Sequence, residues 1–65
     1  MKISINGVAK DVTSTNLAAV LHEAGYDDAR VATAVNGDFV PVGQRESCPI
    51  EAGDQVEIVA PRQGG

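Results

Sequence analysis

Two Asn-Gly pairs, Asn6-Gly7 and Asn36-Gly37, constrain this chain more than any other feature of its sequence. Each lies among short runs of alternating residues. Asn-Gly accepts positive φ at two successive positions, as a type I′ turn requires, and the twist of that turn matches two antiparallel strands. Before the first pair, Met1, Ile3 and Ile5 share one face and Lys2, Ser4 and Asn6 the other. Before the second, Val31, Thr33 and Val35 alternate with Ala32 and Ala34; after it, Phe39 and Val40 begin a return segment. The small Ala32 and Ala34 are expected to face a helix, where backbones approach closely. Pro41 keeps the return segment away from the sheet centre, because it cannot donate to a ladder.

Between the hairpins the period changes. Leu17, Val20, Leu21 and Ala24 fall at i, i+3, i+4 and i+7, one apolar helical stripe. Thr15 or Asn16 can cap its start, and Gly25 suits the left-handed position after its end. A helix of about ten residues is marginal alone, so the stripe must lie on a sheet. His22 and Glu23 point away from the stripe, and His22 reads as a solvated surface residue. Residues 42–49 carry turn formers without periodicity, which implies a loop with a brief strand near residues 48–50. Gly53-Asp54 then opens a last strand over residues 55–60, with Val56 and Ile58 inward and Glu57 outward. Pro61, lacking an N–H, ends the pairing.

The order of elements implies an α+β fold: a mixed sheet of four to five strands with one helix packed across one face. If the first and last strands pair in parallel, the helix is the crossover between them. That arrangement is the ubiquitin-like β-grasp. The expected division is a globular domain over residues 1–60 and a flexible tail over residues 61–65 that ends in Gly-Gly.

Bulk properties narrow the function. At 65 residues the chain is one domain near the lower limit for a self-sufficient core. Cys48 is the only cysteine and His22 the only histidine, so neither an internal disulfide nor a zinc site can form, and no metal is expected. Net charge is −4, and the five Lys and Arg are scattered singly, which argues against a nucleic-acid partner. No apolar run is long enough to cross a membrane, and no leader pattern precedes the first strand. A free thiol without an export signal points to the cytoplasm. Cys48 lacks a basic cluster that would activate it and reads as structural or incidental.

Three motifs in order then carry a resemblance: "VATAVNGDFVP" (residues 31–41), "EAGDQVEIVAP" (residues 51–61) and the final "QGG". Together they resemble the sulfur carriers of thiamine biosynthesis, the ThiS family, from the first hairpin to Gly65. After Pro41 that family often shows a basic residue and then an aromatic one, where this chain has Val42 and Arg45.

The resemblance implies a carrier rather than an enzyme. A ubiquitin-activating-like adenylyltransferase of the ThiF type would use ATP and magnesium to adenylate Gly65, with no cofactor bound to the carrier itself. A persulfide donor supplied by a cysteine desulfurase would then convert Gly65 into a thiocarboxylate. Thiazole synthase of the ThiG type would take the sulfur for the thiazole ring of thiamine. Gly64, Gln63 and Arg62 would be the part of the tail required for activation, and the free carrier would be monomeric. An apolar sheet face would meet both enzymes, with Val40 and Val59 as its candidate members.

Other readings share parts of this pattern. Sulfur carriers for molybdopterin synthase, cysteine synthesis or tRNA thiolation also end in Gly-Gly, and protein conjugation needs the same terminus. A TGS-like binding module shares the fold and the Gly-Asp turn, and there the glycines would be incidental.

Overall fold

The computed structural model describes residues 1–26 and 30–60. Both Asn-Gly pairs form the expected turns. Asn6 and Asn36 each take φ 52°, and Gly7 and Gly37 follow at 82° and 87°. The first turn joins β1 (Lys2–Ile5) to β2 (Val8–Asp11), paired antiparallel with Ile5 opposite Val8. The second joins β3 (Ala32–Val35) to β4 (Asp38–Val40), with Val35 opposite Asp38. β5 (Gln55–Val59) runs between the hairpins, parallel to β1 and antiparallel to β3. The sheet order is β2-β1-β5-β3-β4. This is the mixed five-stranded sheet of the ubiquitin-like β-grasp. Pro41 directly follows β4, which forms one edge as expected.

The helix α1 (Leu17–Glu23) is shorter than its sequence pattern suggests. Leu17, Val20 and Leu21 are buried, whereas Ala24 lies just past the helix and is exposed. The end is a Schellman turn: Tyr26 N donates to Leu21 O at 2.8 Å and Gly25 N to His22 O at 3.1 Å. Gly25 takes φ 92°, the left-handed position that closes such a turn. Tyr26 then folds back onto the core.

At the other end, the first three helical N–H groups have no carbonyl within the helix. Asn16 Oδ1 accepts from Ala19 N at 2.9 Å, so Asn16 rather than Thr15 is the cap. Cys48 O accepts from Leu17 N and Arg45 O from Ala18 N. The segment after β4 thus completes the helix start. That segment holds one 3-10 turn (Val42–Gln44), and the brief strand expected near Cys48 appears as a single bridge between Asn16 and Pro49.

The core is aliphatic: Ile3 and Ile5, Val12, the three helical residues, Val31, Val40, Ile50, Val56 and Ile58. Burying each such side chain contributes about 1.5–3 kcal/mol relative to exposing it. Strand alternation places Thr33, 1% exposed, on the core face beside Ile58 and Val40. Ala32 and Ala34 therefore face away from the helix, against expectation. The reason is period 2: Val31 and Thr33 take the inner positions, and the small residues are left outside.

Candidate functional site

The residues expected to carry the chemistry, Arg62, Gln63, Gly64 and Gly65, lie outside the described residues, as does Pro61. What the structure positions is the platform from which they continue. β5 is the central strand, flanked on both sides, and Ala60 follows its last residue. Gly65 is five residue steps along the chain from Ala60, a reach of about 18 Å at full extension.

Beside the end of β5 the outer sheet face is apolar. Val59 is 64% exposed and Phe39 69% exposed, both large for side chains with nothing polar to offer water. Register places Ala32 opposite Val59, and Ala34 opposite both Phe39 and Glu57. The two alanines are too small to fill the space between the larger side chains, so a shallow trough runs between Phe39 and Val59. Glu57 and Asn6 supply its polar border.

Of Val40 and Val59, the two residues expected on an exposed apolar sheet face, only Val59 is exposed. Val59 belongs to this face. Val40 is buried at 8% exposure, on the core side opposite Thr33, and cannot meet a partner. Phe39, its neighbour in β4, is the exposed residue on the outer face. The alternation of β4 carried that information, because residues 39 and 40 must point to opposite faces and Val40 matches the inward Thr33.

Arg45 is placed by the core rather than by solvent. Its Nε donates to Thr33 Oγ1 at 3.1 Å and its Nη2 donates to Val31 O. Exposed Val42 begins the same segment. Cys48 is half-buried and packs against the core, as the structural reading of it expects. Glu23 gathers Thr13 N, Ser14 N and Ser14 Oγ around its carboxylate, the last at 2.7 Å. The Ser14 hydroxyl, and after it the Thr13 amide, holds that carboxyl below the usual glutamate range. Among the described residues no three His, Cys, Asp or Glu come together as a metal-binding group. No described helix is long and apolar enough to cross a membrane.

The sequence model of the ThiS family matches residues 3–65. A thiazole synthase of Paramagnetospirillum magneticum is 36% identical over 66 residues. The alignment covers all of this chain but 20% of that protein, so the chain spans about a fifth of its relative's length. The crystal structure of the thiamine biosynthesis protein ThiS from Geobacter metallireducens superposes with a TM-score of 0.84 at 23% identity, over the full length of both chains. A solution structure of a thiamine biosynthesis protein from the same organism gives 0.79 at 22% identity, covering all of this chain and 88% of that one. At those identities the structural likeness speaks for the fold.

Proposed function

The chain belongs to the ThiS family of sulfur carriers, and from that premise we propose that Gly65 is adenylated, converted to a thiocarboxylate and presented to thiazole synthase for thiamine biosynthesis. The observation that carries this reading is the match of the family over residues 3–65, which takes in the whole tail. The β-grasp sheet supports it, since its central strand leads directly into that tail. The relative named as a thiazole synthase supports the choice of customer: a segment like this chain is part of that protein.

The chemistry explains the need for a carrier. A carboxylate is a poor electrophile, because its charge is delocalised and oxide cannot leave. Reaction with ATP at the activating enzyme releases pyrophosphate and leaves an acyl-adenylate, whose AMP departs readily. A persulfide attacks the acyl carbon, AMP leaves, and an acyl disulfide forms. A thiol then attacks the sulfur remote from the acyl group, giving a thiocarboxylate on Gly65 and a disulfide on the donor side. The sulfur stays covalently held throughout and ends as the nucleophilic anion of the thiocarboxylate.

Two adjacent glycines suit delivery into pockets owned by other proteins. Neither carries a Cβ, and both accept either sign of φ, so the backbone can approach a catalytic group closely. Ordering such a tail costs entropy on docking, which limits affinity and favours release. A shuttle needs that release.

The trough between Phe39 and Val59 is the surface we assign to the activating enzyme. Any active site that holds Gly65 lies within about 18 Å of Ala60, which brings the enzyme close to the sheet face beside the end of β5. Small exposed apolar patches bordered by polar residues mark such contacts. The free carrier in this reading is a cytoplasmic monomer.

The deciding experiment is intact mass spectrometry after incubation with ATP, magnesium, the activating enzyme and a persulfide donor. The expected result is a gain equal to exchanging one oxygen for sulfur, located on Gly65. An unchanged mass under conditions that load another member of the family rejects the reading. A binding module with incidental glycines gives that same unchanged mass.

A further inference from the structure

The two Asn-Gly turns share a backbone and differ in what holds their side chains. Asn6 and Asn36 both take φ 52°, each followed by a glycine at positive φ. The Asn6 amide is engaged by Ile58 of the central strand. Its Oδ1 accepts from Ile58 N at 2.8 Å, and its Nδ2 donates to Ile58 O at 3.0 Å. The Asn36 amide reaches the turn that opens β5 instead. Its Oδ1 accepts from Gln55 N at 2.9 Å, and its Nδ2 donates to Asp54 Oδ1 at 3.1 Å.

These two holds differ in what their loss leaves behind. β1 pairs with β5 only as far as Ile5 opposite Val56, and past that point the Asn6 side chain meets β5 on the β1 side. β3 stays paired with this end of β5, Thr33 opposite Ile58, but the Ile58 N–H and C=O are turned towards Asn6. Swinging the Asn6 amide away strips both groups of their partner in a partly buried place, on a residue 6% exposed. A buried donor or acceptor left unpaired costs far more than one that water can reach. At Asn36 both bonds lie in the open, where water takes over from the side chain. Asp54 keeps its place meanwhile, because its Oδ2 accepts from Glu51 N at 2.8 Å.

We infer that Asn36 is a site of spontaneous deamidation in the folded protein, and that Asn6, in the same sequence motif, is protected from it. An asparagine before glycine is open to attack because the next residue has no Cβ to hinder the approach. The Gly37 nitrogen gives up its proton to water and attacks Asn36 Cγ. A C–N bond forms, the Cγ–Nδ2 bond breaks, and the side-chain nitrogen leaves as ammonia. Water then opens the cyclic imide at one carbonyl or the other, giving aspartate or isoaspartate. The ring closes only after the side-chain amide has let go of its partners, so the rate follows that release. Aspartate puts a second carboxylate against Asp54 where a donor stood, and isoaspartate adds a carbon to the main chain of the turn. Ageing thus starts at the β3–β4 turn and weakens the start of β5 on its β3 side.

The test is to age the full chain in warm, mildly alkaline buffer, both folded and in urea, and to digest samples with trypsin. Cleavage after Lys and Arg separates the two sites, Asn6 into residues 3–10 and Asn36 into residues 31–45. Mass spectrometry reads each conversion as the gain of an amide turned to an acid. The chain in urea gives the rate of each site without its hydrogen bonds. Folding should slow Asn6 at least about tenfold more than Asn36, so product gathers in residues 31–45 while residues 3–10 stay intact. Asn36→Asp, made directly, should unfold at lower urea than wild type, and the deficit should shrink in salt, which screens the two carboxylates. Equal slowing at the two sites, or greater slowing at Asn36, overturns the inference. So does a folded chain that converts at neither site while the chain in urea converts at both. An Asn36→Asp chain as stable as wild type overturns the consequence for β5.

Discussion

Arg45 and Thr33 meet at 3.1 Å, guanidinium Nε to hydroxyl oxygen, and join the segment after β4 to the inner face of β3. Thr33 Oγ1 in turn donates to Val40 O at 2.9 Å. Its hydroxyl therefore accepts once and donates once in a site that is 1% exposed. Arg45 adds a second tie through Val31 O, while its own carbonyl receives Ala18 N of the helix. One residue outside any strand thus touches both layers of the fold.

Thr33→Val keeps the shape of this site and removes its hydrogen bonds. The expected cost is about 1–2 kcal/mol, a large share of the roughly 3–5 kcal/mol a core of this size supplies. Arg45→Ala should cost a similar amount. The double variant should lose less than the sum, because both changes remove the same contact. Urea midpoints of the four chains measure this, and full additivity would show that the contact carries no energy.

Glu23 ties the start of the loop at Thr13 and Ser14 to the end of the helix. Its folded pKa lies below the ordinary glutamate value, so its contribution to stability is fully present above that value and lost as pH falls through the lowered one. Glu23→Gln should narrow the stability difference from wild type as the solution is made acid. Carboxyl titration by NMR checks the premise: the Glu23 midpoint should fall below 4.5, with the Thr13 and Ser14 amides shifting in step. A midpoint at or above 4.5 contradicts it.

Phe39→Ser and Val59→Ser alter only the outer sheet face. Exposed positions of this kind change stability by about 0.5 kcal/mol or less, so both variants should fold. With the activating enzyme, each should raise KM about tenfold if it removes a central apolar contact. Val40→Ser, by contrast, should unfold the protein without revealing anything about docking. Unimpaired activation of a Phe39→Ser, Val59→Ser double variant would place the contact elsewhere.

Removing Gly65 should abolish sulfur loading while leaving the unfolding midpoint unchanged, since every core residue from Ile3 to Ile58 is retained. Gly64→Ala should retain binding to the activating enzyme and lose kcat, because the added methyl group stands beside the reacting carbonyl. Mass spectrometry and a competition assay against wild type separate the two effects. Loading of a chain that ends at Gly64 would show that the enzyme accepts any terminal glycine.

The hairpins, the helix and the inward residues of β5 were legible because each obeys a local rule. Asn6 and Asn36 demanded positive φ, Leu17, Val20 and Leu21 shared a helical face, and Val56 and Ile58 alternated with Glu57. The outward Ala32 and Ala34 were misjudged for want of a register: side-chain size alone cannot say which face a strand residue takes. Arg45 was unreadable for another reason. Its partners Thr33 and Val31 are distant in sequence, and no periodicity announces a guanidinium reaching into a sheet. The same holds for Asn6, whose turn was plain but whose grip on Ile58 spans the whole fold. Phe39 could have been found, given its place one residue before an inward valine.

Consider how such a molecule is made. Among the described strands the two hairpins are joined in the sheet through β5, so until residues 55–59 have left the ribosome each is a two-stranded ribbon, marginal in water. Translation that halts early yields a fragment open to proteolysis, not a folded decoy that could occupy the activating enzyme with no glycine to offer.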